Sequence, residues 1–497
     1  MASTTCRLNV YPEQVLGTIH RNLYGHFAEH LGRCIDEGIW VGPDSKIANT
    51  HGIRNDTVAA LRELAPPVLR WPGGCFADDY HWRDGVGPRD QRPRRINRHW
   101  GQVVETNQFG TDEFIAFCRM IGAEPYICAN VGSGTPAEMS DWIEYCNATA
   151  DTTLVRQRQA GGVAEPHAVR YWGIGNENWG CGGSLDPTDY CSEFKRFSTF
   201  AVGLGPERPY RIACGPCGND LDWTHRFFEK LGGKLGLIEG FAPHLYQGSA
   251  GASTRFAEPD YYDLTSRYLG MERLICQQRA AMDGYDPDRR VGLIVDEWGV
   301  WHSDATPGAL YQQNTMRDAI VAATILDVFN RHADKVVMAN IAQTVNVLQA
   351  MILTEGEKLI LTPTYHVYHM YREHQGAALI FSELESDAVR AYPDRDDDPT
   401  RSPAVTGSVS KQAQTLTLTL VNRHLGDPRI ADVRLIGSAS IRGASGTVLT
   451  ADAPQAHNTF ESPTTIEPTQ ATITASGNRF EHLLPPCSAT RLRVDLD

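Results

Sequence analysis

Positive charge is what this chain has too little of. It carries 46 lysines and arginines against 60 aspartates and glutamates, a formal charge of −14 over 497 residues. Such a field repels phosphate backbones and anionic headgroups, so neither nucleic acid nor a membrane surface is expected as a partner. No run of about 18 apolar residues occurs, so no membrane-spanning helix is expected. The opening MASTTCRLNVYPEQV lacks the basic-then-apolar design of a signal peptide, which places the protein in the cytosol as an expectation. There is no HExxH and no His/Cys cluster at ligand spacing, so no metal and no organic cofactor is expected. Cysteine is not scarce, at 12 residues, but the positions are scattered, and Cys118, Cys128, Cys214 and Cys276 lie inside apolar runs. Free cysteine behaves as a small buried hydrophobe, and a cytosolic chain keeps it reduced. One Cys-x-x-Cys pair, Cys214 and Cys217, has thioredoxin-type spacing, but the small domain that such redox chemistry uses is missing around it.

With 41% hydrophobic residues the chain can bury a large core. From about residue 21 to 375, short apolar runs alternate with longer amphipathic ones. The candidate strands lie near 22–27, 67–71, 125–130, 169–175, 211–214, 240–245, 291–296 and 336–342. Their apolar character is continuous, as in parallel strands covered on both faces. Thr111-Asp112-Glu113, and Thr188 with Asp189 in its first turn, mark helix starts. Eight alternating units fit a closed (β/α)8 barrel of the TIM type, with an open doubly wound sheet as the second choice. After residue 375 the pattern changes. Pro393 to Pro399, rich in aspartate, reads as a solvated loop. Thr415 to Leu420 then alternates with period two, and ADVRL, TVLTA, ATITA and ATRLRVDL follow in the same style. Residues 376–497 are therefore expected to form an all-β sandwich, joined by a strand from residues 1–20.

Two glutamates stand out. Glu177 in GIGNENWG and Glu297 in LIVDEWGVW each follow a short apolar run, and each is read as closing a buried strand at its carboxyl end. Barrel enzymes gather their reacting groups there. Strand counting places the two after the fourth and seventh strands, from where both side chains can reach one substrate. Paired carboxylates can split the work of proton donor and nucleophile at a single bond. His244 and Tyr246 in HLY close a third strand between them, Asn176 directly precedes Glu177, and Arg70 ends a strand in apolar surroundings where a guanidinium needs a carboxylate partner. Trp100, Trp179, Trp298 and Trp301 are candidate sugar-stacking platforms.

The runs RWPGGCFADDYHWRDGVGPRDQRP (Arg70 to Pro93), GNENWGCGG (Gly175 to Gly183), HLY (His244 to Tyr246) and VDEWGVWH (Val295 to His302) together resemble glycoside hydrolase family 51, over essentially the whole chain. The resemblance implies a (β/α)8 barrel with a C-terminal β-sandwich and retaining chemistry on α-L-arabinofuranosides. By position it implies Glu177 as acid/base and Glu297 as nucleophile. It further implies that Glu29, Arg70, Asn176, His244, Tyr246 and Gln349 hold the furanose. Cys75 stands where many members carry asparagine, a change that bears on one hydrogen bond to the sugar. A homo-oligomer, often hexameric, is implied as well. The expected function is an exo-acting α-L-arabinofuranosidase that trims arabinose-containing oligosaccharides. The alternatives are an endo-glucanase or xylosidase-type specificity, a non-catalytic carbohydrate-binding protein, and a dithiol oxidoreductase using Cys214 and Cys217.

Overall fold

A computed structural model describes residues 4–497; the first three residues of the expected 1–20 segment lie outside the described residues. Eight parallel strands close into a barrel in chain order: Gly25–Phe27, Val68–Trp71, Glu124–Ala129, Tyr171–Ile174, Tyr210–Cys217, Gly240–Gly248, Gly292–Trp301 and Val336–Ala342, the last pairing back onto the first. The fold is the expected (β/α)8 barrel, not the open sheet.

The barrel interior is packed, not hollow. Val68, Tyr126, Tyr171, Ile212, Ala242, Ile294 and Met338, one from each of seven strands, form a single apolar cluster. Layers of inward side chains of this kind fill barrels of eight strands. The first strand contributes Gly25, where an added Cβ would come within 2.1 Å of the Asn340 side chain. The layer closes the floor of the barrel, so the polar residues above it face only the carboxyl end.

Helix starts follow the capping chemistry. Thr111–Ile121 begins with Asp112 and Glu113 in its first turn, where carboxylates meet free N–H groups, and ends at Gly122 in the left-handed conformation. Pro187–Phe200 is capped by Asp186, whose carboxylate accepts from the N–H of Thr188 and Asp189.

The remaining strands form a nine-stranded sheet that includes Ala378–Glu385, Val405–Gln412, Thr415–Asn422, Arg429–Leu435, Ile441–Thr450 and Ser488–Leu496. Strands from distant places in the sheet order share one core, for example Val433 and Phe480 with Leu418 and Val494, so the sheet is folded over into two layers. Thr4–Thr18 runs inside this sheet, antiparallel to Ala378–Glu385 and parallel to Arg429–Leu435.

Helix Met316–Arg331 joins the two bodies. Every residue from Met316 to Asn330 is buried; a helix covered all round has packing on both sides. Its Asp327 is fully buried and accepts hydrogen bonds from Ser408 Oγ (2.8 Å) and Thr419 Oγ1 (2.6 Å) of the sheet and from Tyr371 OH (3.3 Å). Burial pushes this carboxyl up to about 7 against the three donors. A carboxyl whose folded pKa lies above its unfolded value binds its proton more tightly in the fold, so its contribution is present at acid pH and is lost as pH rises from about 4 to about 7. Asp327→Asn should therefore gain on the wild type between pH 5 and pH 8, at about 1 °C of Tm per kcal/mol of lost protonation energy for a chain of this length. Thermal unfolding of both proteins at the two pH values checks this, and equal pH slopes would contradict it.

Candidate active site

The carboxyl end of the barrel holds a ring of polar side chains, and a buried guanidinium sits at its centre. Arg70, 1% exposed, is the last residue but one of the second strand. Its Nη1 donates to Glu297 Oε1 at 2.8 Å and its Nη2 to Asn176 Oδ1 at 2.5 Å. Its Nε lies 3.3 Å from Asp296 Oδ2 without hydrogen-bond alignment. Burial opposes the charge, but Asp296 and Glu297 outweigh it and hold Arg70 firmly protonated.

Glu297 is not at the end of its strand. It lies inside Gly292–Trp301, facing His244 in the neighbouring strand. Successive residues of a regular strand point to opposite faces, yet Asp296 and Glu297 both reach Arg70. Register shifts between Val295 and Trp298 on one side, and between Phe241 and His244 on the other, explain this. An irregularity of that kind re-aims a side chain next to a site. Tyr246 OH donates to Glu297 Oε2 at 2.7 Å. Burial raises the Glu297 carboxyl, but His244, Arg70 and Tyr246 together hold it below the usual range, so it is an anion at neutral pH.

Glu177 also departs from the expected strand end. The strand stops at Ile174, and Gly175 (φ 82°) and Glu177 (φ 43°) follow in the left-handed region. Left-handed turns, not strand curvature, bring Asn176 and Glu177 toward the same cavity. An added Cβ on Gly175 would meet the Asn178 amide at 2.2 Å, so the turn demands glycine. A left-handed glutamate is a strained residue that its surroundings must hold in place. The holding contacts are backbone bonds from Gly180 and Gly182 to the Glu177 carbonyl. Buried Asp78 helps from the side: it accepts from the N–H of Asn176, Val131 and Gly132 at 2.7–2.8 Å, tying two loops together.

His244 connects the two glutamates, its Nδ1 lying 3.1 Å from Glu177 Oε1 and 3.6 Å from Glu297 Oε2. Burial lowers its pKa, but the two carboxylates outweigh burial and raise it overall. One oxygen of Glu177 and one of Glu297 lie within 4.8 Å of each other.

The cavity beside them has a volume of about 80 Å³ and is lined by Glu29, Trp100, Glu177, Tyr246, Glu297 and Gln343 among others. Clefts of about 600 Å³ open elsewhere on the surface, but none contains these converging groups, and it is the groups that mark a site. Glu29 accepts from the Phe76 N–H (3.0 Å), Trp100 Nε1 (2.9 Å) and Gln343 Nε2 (2.8 Å). Burial, and then the Glu297 charge, push its carboxyl up to about 7. The Pro-Gly-Gly turn makes room for it, since an added Cβ on Gly74 would come within 2.7 Å of both Glu29 oxygens.

Glu29, Arg70, Asn176, Glu177, His244, Tyr246 and Glu297 thus meet in one place. Two expected site residues need correction. Gln349 is fully buried and faces away: its Oε1 accepts from the Val300 N–H, and its Nε2 donates to Asp318 O and Thr364 Oγ1. Gln343, six positions earlier, is the glutamine in the cavity. Cys75 does line the cavity, but it is bonded to Cys181, with Cα atoms 5.6 Å apart, so it has no thiol to offer a sugar. That bond also corrects the expectation that the cysteines are all reduced. Cys214 and Cys217 lie on one strand and form no redox pair: Cys214 is buried, burial pushes its thiol up, and no helix begins until Leu221. Trp298 is core, edge-on to Phe329, whereas Trp100 and Trp301 line the cavity. Asp78, Asp296 and Gln343 went unread. Asp296, the neighbour of Glu297 in an otherwise apolar run, carried a signal; Gln343 carried none.

Comparison with known proteins fits this constellation. Models of the α-L-arabinofuranosidase 1 domain and of the α-L-arabinofuranosidase C-terminal domain match residues 60–213 and 296–488. An intracellular exo-α-L-arabinofuranosidase of Bacteroides ovatus is 40% identical, over 94% of this chain and 91% of its own. The chain belongs to glycoside hydrolase family 51. Among solved family 51 structures, the arabinofuranosidase of Xanthomonas axonopodis pv. citri superposes with a TM-score of 0.94 at 40% identity, covering 99% of this chain and all of that one. The Thermotoga maritima α-L-arabinofuranosidase, solved as an arabinose complex, gives 0.89 at 33% identity, with 99% and 100% covered. This family 51 protein is accordingly a glycoside hydrolase that acts on α-L-arabinofuranosides. Among the described residues, no helix is long and apolar enough to cross a membrane.

The two glutamines make separable predictions for the family 51 enzyme. Gln343→Ala should raise KM for an arabinofuranoside by roughly 2- to 10-fold, the scale of one hydrogen bond to a neutral hydroxyl. Gln349→Ala should lower Tm and leave KM in place. Steady-state kinetics with thermal unfolding distinguishes the two, and a KM effect at Gln349 would return it to the site.

Proposed function

We propose that the protein is a retaining, exo-acting α-L-arabinofuranosidase that releases single arabinose units from arabinoxylan or arabinan oligosaccharides. The observation that carries this reading is the closeness of the Glu177 and Glu297 carboxylates, with oxygens within 4.8 Å. Retaining pairs stand about 5–5.5 Å apart, whereas inverting pairs stand about 6.5–9.5 Å apart to admit a water between them.

In the first step a Glu297 oxygen attacks the anomeric carbon while the bond from that carbon to the leaving oxygen breaks. Glu177 passes its proton to the departing oxygen, and the sugar is left as an ester of Glu297. In the second step Glu177, now a carboxylate, takes a proton from water as the water oxygen attacks the same carbon and frees Glu297. Arg70 and Tyr246, one on each Glu297 oxygen, fix the plane of the nucleophile. Glu177 binds His244 through Oε1, leaving Oε2 directed at the leaving group. Asn176, Glu29 and Gln343 are placed to bond the furanose hydroxyls. A cavity of about 80 Å³, walled by Leu31, Leu310 and Leu348, suits one terminal furanose and not an internal stretch of polymer; this favours the exo reading over an endo-glucanase. The name of the Bacteroides ovatus relative points the same way.

Glu177→Ala should slow hydrolysis of an oligosaccharide by about 10²–10⁴-fold, the range of general acid catalysis, and spare the glycosylation step of an activated aryl arabinofuranoside. Equal losses on both substrates would remove the acid role. Glu297→Ala should abolish turnover of both, and added azide should restore an arabinosyl azide of opposite anomeric configuration. Wild-type product followed by NMR should appear first as the α-anomer; a β-anomer would overturn the retaining mechanism.

A further inference from the structure

The Cys75–Cys181 bond ties the Pro-Gly-Gly-Cys turn after the second strand to the loop that carries Glu177, and it lies against the proposed acid. Glu177 Oε2 is 3.7 Å from Cys181 Sγ and 4.0 Å from Cys75 Sγ. Bonded sulfurs carry no hydrogen, so Oε2 receives no protein hydrogen bond among the described residues, while Oε1 is held by His244. All three residues are partly exposed, Cys75 and Glu177 at the cavity itself, and so open to solutes.

We propose that reduction of Cys75–Cys181 creates a soft-metal site, with Cys75, Cys181 and Glu177 as ligands for a zinc-like divalent cation, and that metal captured there removes Glu177 from catalysis. A dithiol reductant would open the bond. Its thiolate attacks one sulfur and expels the other, and its second thiol resolves the mixed disulfide, leaving two cysteine thiols and an oxidised, cyclic reductant. The cation then replaces the two thiol protons. Two thiolates and a carboxylate are a zinc ligand set, with water in the fourth place. Bond lengths of about 2.3 Å to sulfur and about 2.0–2.2 Å to oxygen in a tetrahedron put ligand atoms roughly 3.5–3.8 Å apart. The carboxylate oxygen already stands near that distance from both sulfurs, so only the sulfurs need to separate. A Cα–Cα distance of 5.6 Å leaves them room to do so by side-chain rotation. The bond thus has a chemical role beyond tying loops: it keeps the acid free of metal. A second set, Glu177, His244 and Glu297, also converges, but it contains no sulfur and is indifferent to redox state.

The loss of activity rests on the reading of Glu177 as acid/base; the metal binding does not. The test uses the whole enzyme, untreated or reduced with a phosphine, which takes its oxygen from water and leaves two thiols. Cadmium serves as the optical probe and zinc as the inhibitor. Reduced enzyme should take up one cadmium per chain with an ultraviolet thiolate-to-metal band. One equivalent of zinc should cut release of arabinose from an oligosaccharide by about 10²-fold or more, reversed by EDTA, while untreated enzyme is unaffected. Cys217→Ser, which removes the exposed free thiol, should keep the band, and Cys181→Ser should lose it. A band that survives in Cys181→Ser, no uptake by reduced enzyme, or equal zinc inhibition of both redox states would overturn the proposal. A stoichiometric band with undiminished activity would uphold the metal site and sink the acid role of Glu177, so the two failures are distinct.

Discussion

The site depends on a buried positive charge. Arg70 stands on the apolar floor of the barrel, where an isolated charge would cost several kcal/mol in solvation, and three neighbours make it tolerable: Glu297, Asn176 and Asp296. The debt runs both ways. A carboxylate as buried as Glu297 would hold its proton without Arg70, His244 and Tyr246, and a protonated nucleophile is inert. Because Arg70 also bonds Asn176, the residue before Glu177, one guanidinium links the segments bearing both proposed catalytic groups. Groups placed in this way need little rearrangement when the reaction begins, which is where preorganised electrostatics has its effect.

The two glutamates are held by opposite means. Glu297 sits inside a strand, fixed by the barrel ladder and three polar partners. Glu177 sits on a left-handed turn, fixed by backbone bonds, by Asp78 beneath Asn176, and by the disulfide at its flank. The difference suits their proposed work. A nucleophile must stay still while a bond forms on it, whereas an acid/base must face a leaving group in one step and water in the next.

Much of the fold was legible because the signals were local. Continuous apolar runs between amphipathic ones gave eight parallel strands, and period-two alternation gave Thr415–Asn422 and its neighbours. The pair Glu177 and Glu297, with His244 and Tyr246, could be read because each polar motif follows directly on an apolar run, although none of the four is the last residue of its strand. Other features were hidden because they are relations between distant residues. Gln343 and Gln349 flank the same five residues, and only the path of the loop decides which amide meets Glu29. No pattern pairs Cys75 with Cys181; the pairing arises when the loops after the second and fourth strands meet at the barrel mouth. The left-handed backbone at Glu177 contradicts the ordinary preference of glutamate, and the register shifts beside Glu297 break the alternation that makes strands readable at all. Local rules fail where the chemistry is located, which is where a protein can hold strain that the rest of the fold compensates.

The placement of Thr4–Thr18 has a consequence for how the molecule is made. This strand is translated before the barrel, yet its hydrogen-bonding neighbours Ala378–Glu385 and Arg429–Leu435 are translated after it. At about 5–20 residues per second the nascent strand waits tens of seconds with both edges unpaired, exposed to other chains on the same polysome. The ribosome, not the finished enzyme, sees the weakest moment of this architecture, and chaperones that shield extended segments would be most needed there.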